Sequence, residues 1–261
     1  MKACKLLLIL LFCQAGISDH ISAQTADSLR WWSNYNAILQ PKGHLSFGLV
    51  QALRYGLSDR IELSGSAVIF PLDPNIKLKY HYPFKSDLII GSEHSIHFPT
   101  PFLRLISAEG IGGVISPQYK MPVMGSLYNG IILSYLFPGD YLLTIRGGVG
   151  FAIRSEEPDP GSTIDLPFIF PRLAVYYNKI LIESGLNMEK KITENIYCLI
   201  RNDVFMVPGS DENLFFEHRG ILRWKTNRRF FMQGGYTLCY GKYPFGSQWH
   251  LLPNLDLGFR F

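Results

Sequence analysis

The stretch Glu93-His94-Ser95-Ile96-His97 brings together the side chains with the most reactive combination in the chain. A serine hydroxyl, an imidazole and a carboxylate are the parts of a nucleophile, its general base and the group that orients the base. Glu93, Ser95 and His97 occupy alternate positions, so a strand would present all three on one face. The same spacing works against direct chemistry. Residues at i and i+2 on a strand stand ~6.5–7 Å apart, whereas a base must come within ~2.6–3.2 Å of the hydroxyl it activates. Hydrolysis is one reading of this wall; an inert polar cluster is the other, and the spacing favours the cluster.

Other candidate motifs carry less. Gly147-Gly148-Val149-Gly150 lacks the Lys-Ser/Thr of a phosphate-binding loop and falls inside a strand pattern. The acidic run Glu156-Glu157-Pro158-Asp159-Pro160 lacks the ligand spacing of a calcium loop. Cys198 and Cys239 make neither a disulfide framework nor a metal spacing, so no metal and no cofactor is expected. Net charge is +4 and no basic run occurs, which gives no support for a nucleic-acid partner. What remains are charges that recur on one side of alternating segments: Arg54, Glu62, Lys77, Lys79, Arg146, Glu183, Glu189, Arg201, Asp203, Glu217, Arg219, Arg223 and Arg260.

The elements that position these residues read with period two almost throughout. Over Leu45–Tyr55, odd positions are large and mostly apolar and even positions small or polar, which predicts one strand. Gly56-Leu57-Ser58-Asp59-Arg60 supplies turn chemistry, and a second strand follows over 61–69. Similar alternation runs through 76–82, 141–154, 216–224, 232–240 and 255–261. Short connections near 56–60, 83–87, 137–140, 191–195 and 225–229 interleave with longer ones near 71–74, 98–124, 155–171, 206–213 and 242–253. The interleaving holds if Arg172–Glu189 is one strand bulged near Asn178-Lys179, where apolar parity switches from odd to even. That makes eleven strands after residue 43, and a segment near Trp32–Leu39 supplies the twelfth.

The first residues read as an export signal. Lys2 and Lys5 precede the apolar run Leu6–Phe12, and Ala23 ends a small-residue cleavage site, so 1–23 is a signal peptide and 24–261 a single domain. Downstream, no apolar run reaches the ~18–20 residues of a membrane helix. Yet the chain is 47% hydrophobic and 14% aromatic with 18% charged residues, below the ~25% typical of soluble domains. Two all-β homes fit: a secreted sandwich, or a transmembrane antiparallel up-and-down barrel of about 12 strands. Predicted strands of ~10–14 residues, aromatic residues near strand ends and a terminal Phe261 favour the barrel, with apolar side chains outward and the charges lining a lumen.

The run Tyr55-Gly56-Leu57-Ser58-Asp59-Arg60-Ile61-Glu62-Leu63 resembles a hairpin common in outer-membrane barrel proteins. Ser22-Ala23 followed by Gln24 resembles exported proteins of Bacteroidetes-type bacteria. The ending Pro253–Phe261 is similar to the C-terminal strand that such barrels offer to the barrel-assembly machinery, which would make Phe259 and Phe261 an assembly signal. This implies a Gram-negative outer-membrane location, with outer-membrane lipids and the assembly machinery as partners. Outer-membrane phospholipase and the lipid A deacylases also place Ser and His on a barrel wall, but their His-x-Ser-Asn run is absent, since Ile96 follows Ser95. The function expected is a narrow pore or structural barrel for small solutes. The alternatives are a barrel-wall lipid hydrolase using Ser95, His97 and Glu93, or an interaction protein acting through loops 98–124 and 155–171.

Overall fold

A computed structural model describes residues 31–83, 87–111, 114–209, 213–227, 229–243 and 246–261. The signal peptide expected over 1–23 lies outside these residues. The barrel body runs from Trp32 to Phe261. Its strands are β1 Leu45–Gly48, β2 Leu53–Ser58, β3 Ile61–Gly65, β4 Asn75–Tyr82, β5 Leu88–His97, β6 Met124–Phe137, β7 Tyr141–Arg154, β8 Ile180–Lys191, β9 Ile196–Met206, β10 Leu214–Lys225, β11 Phe230–Tyr243 and β12 Gly246–Arg260. Each pairs antiparallel with the next, and β1 pairs with β12, closing a twelve-stranded barrel. We call the end holding Leu45 and Phe261 the lower end. Two helices, α1 Thr100–Ile106 and α2 Phe170–Asn178, sit in upper connections.

The alternation sorts the two faces in the sense of an inside-out protein. Along β9, Tyr197, Leu199, Arg201, Asp203 and Phe205 are buried, and the intervening residues face outward. Elsewhere Ile131, Ile145 and Leu255 stand 59%, 54% and 76% exposed, while Arg146, Glu217 and Arg223 are buried. Carbon faces out and charge faces in, as a hydrocarbon surround requires. Cys198 and Cys239 are free thiols.

Three expectations change. The first strand expected over Trp32–Leu39 is no strand; the segment lies irregularly among inward side chains. The twelfth strand comes from Leu45–Tyr55, which splits into β1 and β2 around residues 49–52. The fold-back is held by β12: the backbone N–H groups of Val50 and Gln51 donate to the Asp256 carboxylate at 2.9 and 3.1 Å. Alternation within 45–55 cannot report an acceptor some two hundred residues away. Second, Arg172–Glu189 is not one bulged strand. Its first part is α2, Pro171 sits in the first turn where its missing N–H costs nothing, and Lys179 ends the helix at φ 71°. The parity switch marks a helix-to-strand junction. Third, the loop expected near 242–253 is mostly strand, because β12 pairs with β11 from Tyr243↔Gly246 to Phe230↔Phe259.

Two outcomes follow. Asp256→Ala leaves three backbone donors, those of Val50, Gln51 and Leu257, without this acceptor and is expected to lower unfolding stability by about 1–3 kcal/mol, with Asp256→Asn recovering part of it. Urea unfolding in detergent micelles reads this, and an unchanged midpoint contradicts the capping role. Lys179→Gly relieves a left-handed backbone and is expected to raise stability by about 0.5–1 kcal/mol in the same assay.

Candidate functional site: a charged lumen between a plug and a cap

The lower lumen is filled by residues 32–40. This segment has no regular backbone pairing, so wall side chains supply its partners. Ser33 donates through its N–H and Oγ to the Glu189 carboxylate, both at 2.7 Å, and Asn36 Nδ2 donates to the same carboxylate at 2.9 Å. Ala37 N–H donates to Ser134 Oγ at 2.9 Å, and Gln40 N–H to Glu62 at 2.7 Å. Lys79 Nζ donates to the carbonyls of Asn34 and Asn36 at 3.0 and 2.8 Å, and Asn187 Nδ2 to that of Tyr35 at 2.7 Å. The Arg201 guanidinium lies 3.7 Å from the centroid of the Tyr35 ring. The chain leaves the lumen beside Gly56, where a Cβ would collide with the Pro41 carbonyl; this is the constraint behind the glycine of the Tyr55–Leu63 hairpin.

Above the plug the charges pair along the wall, within a strand or between strands one or two places apart. Arg146 meets Glu183 and Asp203 at 2.5 Å and Glu93 at 3.8 Å. Arg201 forms an ion pair with Asp203 at 2.5 Å, and Lys77 Nζ donates to Glu93 at 3.0 Å. Lower down, Arg54 grips Glu62 through Nε and an Nη at 2.9 and 2.7 Å. Near the seam, Arg223 donates to Gln233 at 2.9 Å and, like Arg260, stacks over Phe231. Glu217 holds two arginines: Arg219 at 2.6 Å and Arg172, bidentate at 2.5 and 2.9 Å. Arg172 was not among the expected lumen residues. It reaches down from α2, an element that the strand reading of 172–189 did not contain.

The cap fills the upper lumen along β6–β11. Phe170, Leu173 and Tyr176 of α2 pack with Leu103 of α1 against Phe205 and Phe215 of the wall. Burial pushes the Tyr176 phenol above its usual range, so it stays neutral. Its hydroxyl joins Ser126 Oγ and His97 Nδ1, both at 2.8 Å, while His97 Nε2 meets Asp73 at 2.6 Å. Both ring nitrogens of His97 are thereby committed away from Ser95, and Glu93 is committed to Lys77 and Arg146. The three residues share a wall but are not assembled as a nucleophile, base and orienter. Between plug and cap lies a cavity of about 450 Å³, whose lining includes Lys77, Glu93, Ser95, Tyr128, Arg146 and Arg219. Its walls can cradle one small polar solute through ion pairs and hydroxyl groups. Among the described residues no cluster has the make-up of a metal site.

Phe259 and Phe261 stand at the seam, where Phe47 stacks on both at centroid distances of 5.6 and 6.2 Å.

No family model and no curated protein matches the chain. Solved structures do. An outer membrane channel from Pseudomonas putida F1 superposes with a TM-score of 0.50 at 10% identity, over 87% of this chain and 96% of that one. OmpT of Vibrio cholerae matches at a TM-score of 0.45 and 10% identity, over 91% of this chain and 73% of that one. At such identity the likeness concerns fold alone: this chain has the fold of the outer-membrane β-barrels, closed at twelve strands.

Proposed function

We propose that the protein is exported after cleavage behind Ala23 and resides in the outer membrane of a Gram-negative bacterium. There it admits a small polar solute to its charged lumen and passes it when the segment 32–40 shifts. The lower end faces the periplasm, with Phe259 and Phe261 read by the assembly machinery. The exposed apolar belt supports the membrane setting, because side chains such as Ile131, Ile145 and Leu186 gain stability only against hydrocarbon.

The observation that carries the pore reading is how the plug is held. Its contacts to Glu189, Glu62, Lys79, Ser134 and Asn187 are hydrogen bonds in a charged interior. Water can replace each of these hydrogen bonds, and the apolar anchorage of the segment is small, chiefly Trp32 packed edge-on against Tyr197. The hydrolase alternative has no assembled triad to support it.

Single-channel recording in planar bilayers tests the proposal. The full chain is expected to give brief, infrequent openings, and a variant lacking residues 32–40 a steady conductance. A deletion variant that keeps heat-modifiable gel migration yet stays electrically silent overturns the pore reading. Glu189→Gln removes the charge that Ser33 and Asn36 share. A loss of about 1.5–3 kcal/mol from the closed state raises the open-to-closed ratio roughly ten- to hundredfold without changing the unitary step.

A further inference from the structure

The barrel wall is uneven in height. β11 and β12 run 14 and 15 residues, whereas β1, β2 and β3 run 4, 6 and 5. β1 covers β12 only at Gly258–Arg260, with flanking bonds from Leu49 N–H to Leu257 O and between Leu45 and Phe261. Above that point, among the described residues, Trp249–Leu255 has no strand on its β1 side. At ~3.4 Å per residue this open edge is about 20 Å long, a notch in the upper wall.

Backbone parity agrees. Phe261 and Leu257 aim their backbone groups at β1, and the β11–β12 register is unbroken, so Leu255, Pro253, Leu251 and Trp249 aim theirs into the notch. Proline stands at one of these positions, where no ladder bond is available for it to break. An open edge facing bare hydrocarbon is strongly disfavoured, so the notch needs polar matter beside it.

The lumen cavity extends to the foot of this notch, because the fold-back residues Val50, Gln51 and Ala52, held on Asp256, line it together with the deeper charges. The rim is apolar and exposed: Leu49, Val50, Val68, Leu251 and Leu255 range from 64% to 76% exposed. The cavity lining carries six lysine and arginine side chains against three glutamates, with Asp203 and Glu217 behind it pairing four of the arginines, which leaves a small excess of positive charge. Lys77 is placed to meet a ligand first. It pairs with Ser64 at the top of β3, and its side chain is 40% exposed.

Building on the outer-membrane reading above, we propose that the notch is a side doorway for a single-chain anionic amphiphile drawn from the surrounding leaflet. The alkyl chain lies along Leu49, Val50, Leu251 and Leu255. The anionic head enters the cavity at Lys77, and water and the head solvate the open edge of β12.

The test uses the full chain in phosphatidylcholine nanodiscs with palmitic acid carrying a chain diazirine, and the matching uncharged alcohol as control. After irradiation, cross-links mapped by mass spectrometry are expected to concentrate on 49–50, 68–72 and 249–255. They are expected to fall roughly two- to fivefold for the alcohol and for Lys77→Gln. Labelling spread evenly over Ile131, Ile145 and Leu186, or indifferent to head charge, overturns the doorway alone. A chain that fractionates as soluble and lacks heat-modifiable migration overturns this inference together with the membrane reading.

Discussion

Everything in this barrel depends on closing the sheet across the β1–β12 seam, where the two ends of the wall meet. A sheet surrounded by lipid cannot carry free edges along its full height, because hydrocarbon offers no partner for backbone N–H and C=O groups. Here the seam is short. Leu45 and Phe261 exchange backbone bonds at 3.0 and 2.8 Å, Leu49 reaches Leu257 at 3.0 Å, and three residue pairs lie between them. By contrast, β11 and β12 pair over their whole length. Asp256 stands where the seam ends. Its carboxylate turns the chain back at 49–52 and so sets the height at which closure stops.

The interior answers the same constraint from the other side. An inward charge surrounded by a plug and a cap cannot rely on bulk water, so it needs a partner. Arg146 sits among three carboxylates, and Glu217 between Arg172 and Arg219. These pairs link strands one or two places apart in the wall, and one of them ties the cap helix to it. Irregular backbone at this depth is tolerated where protein polar groups surround it, which describes the segment 32–40. The plug, the ion pairs and the cap thus form one polar filling whose shape leaves a single-solute cavity lined mostly from the 50–52 fold-back and β3–β6, next to the lowest part of the wall.

The sequence by itself determined sidedness. Alternation is local to a strand, so it assigned Arg54, Lys79, Arg146, Arg201, Asp203 and Glu217 to one face without knowledge of any partner. Turn residues likewise marked the lower connections, such as Pro138-Gly139-Asp140. Only the tertiary structure decided what lies across from what. The split of 45–55 needs Asp256, the helix at 170–178 needs an apolar cap to pack against, and the strand through Pro253 needs a neighbour that stops short. The inert geometry of Glu93, Ser95 and His97 was half visible in their spacing; that Asp73 and Tyr176 claim the histidine was not. The reason is physical. Pleating obliges each side chain to one face over a few residues, whereas register, closure and plug placement arise from hydrogen bonds between segments far apart in the chain, which no local pattern encodes.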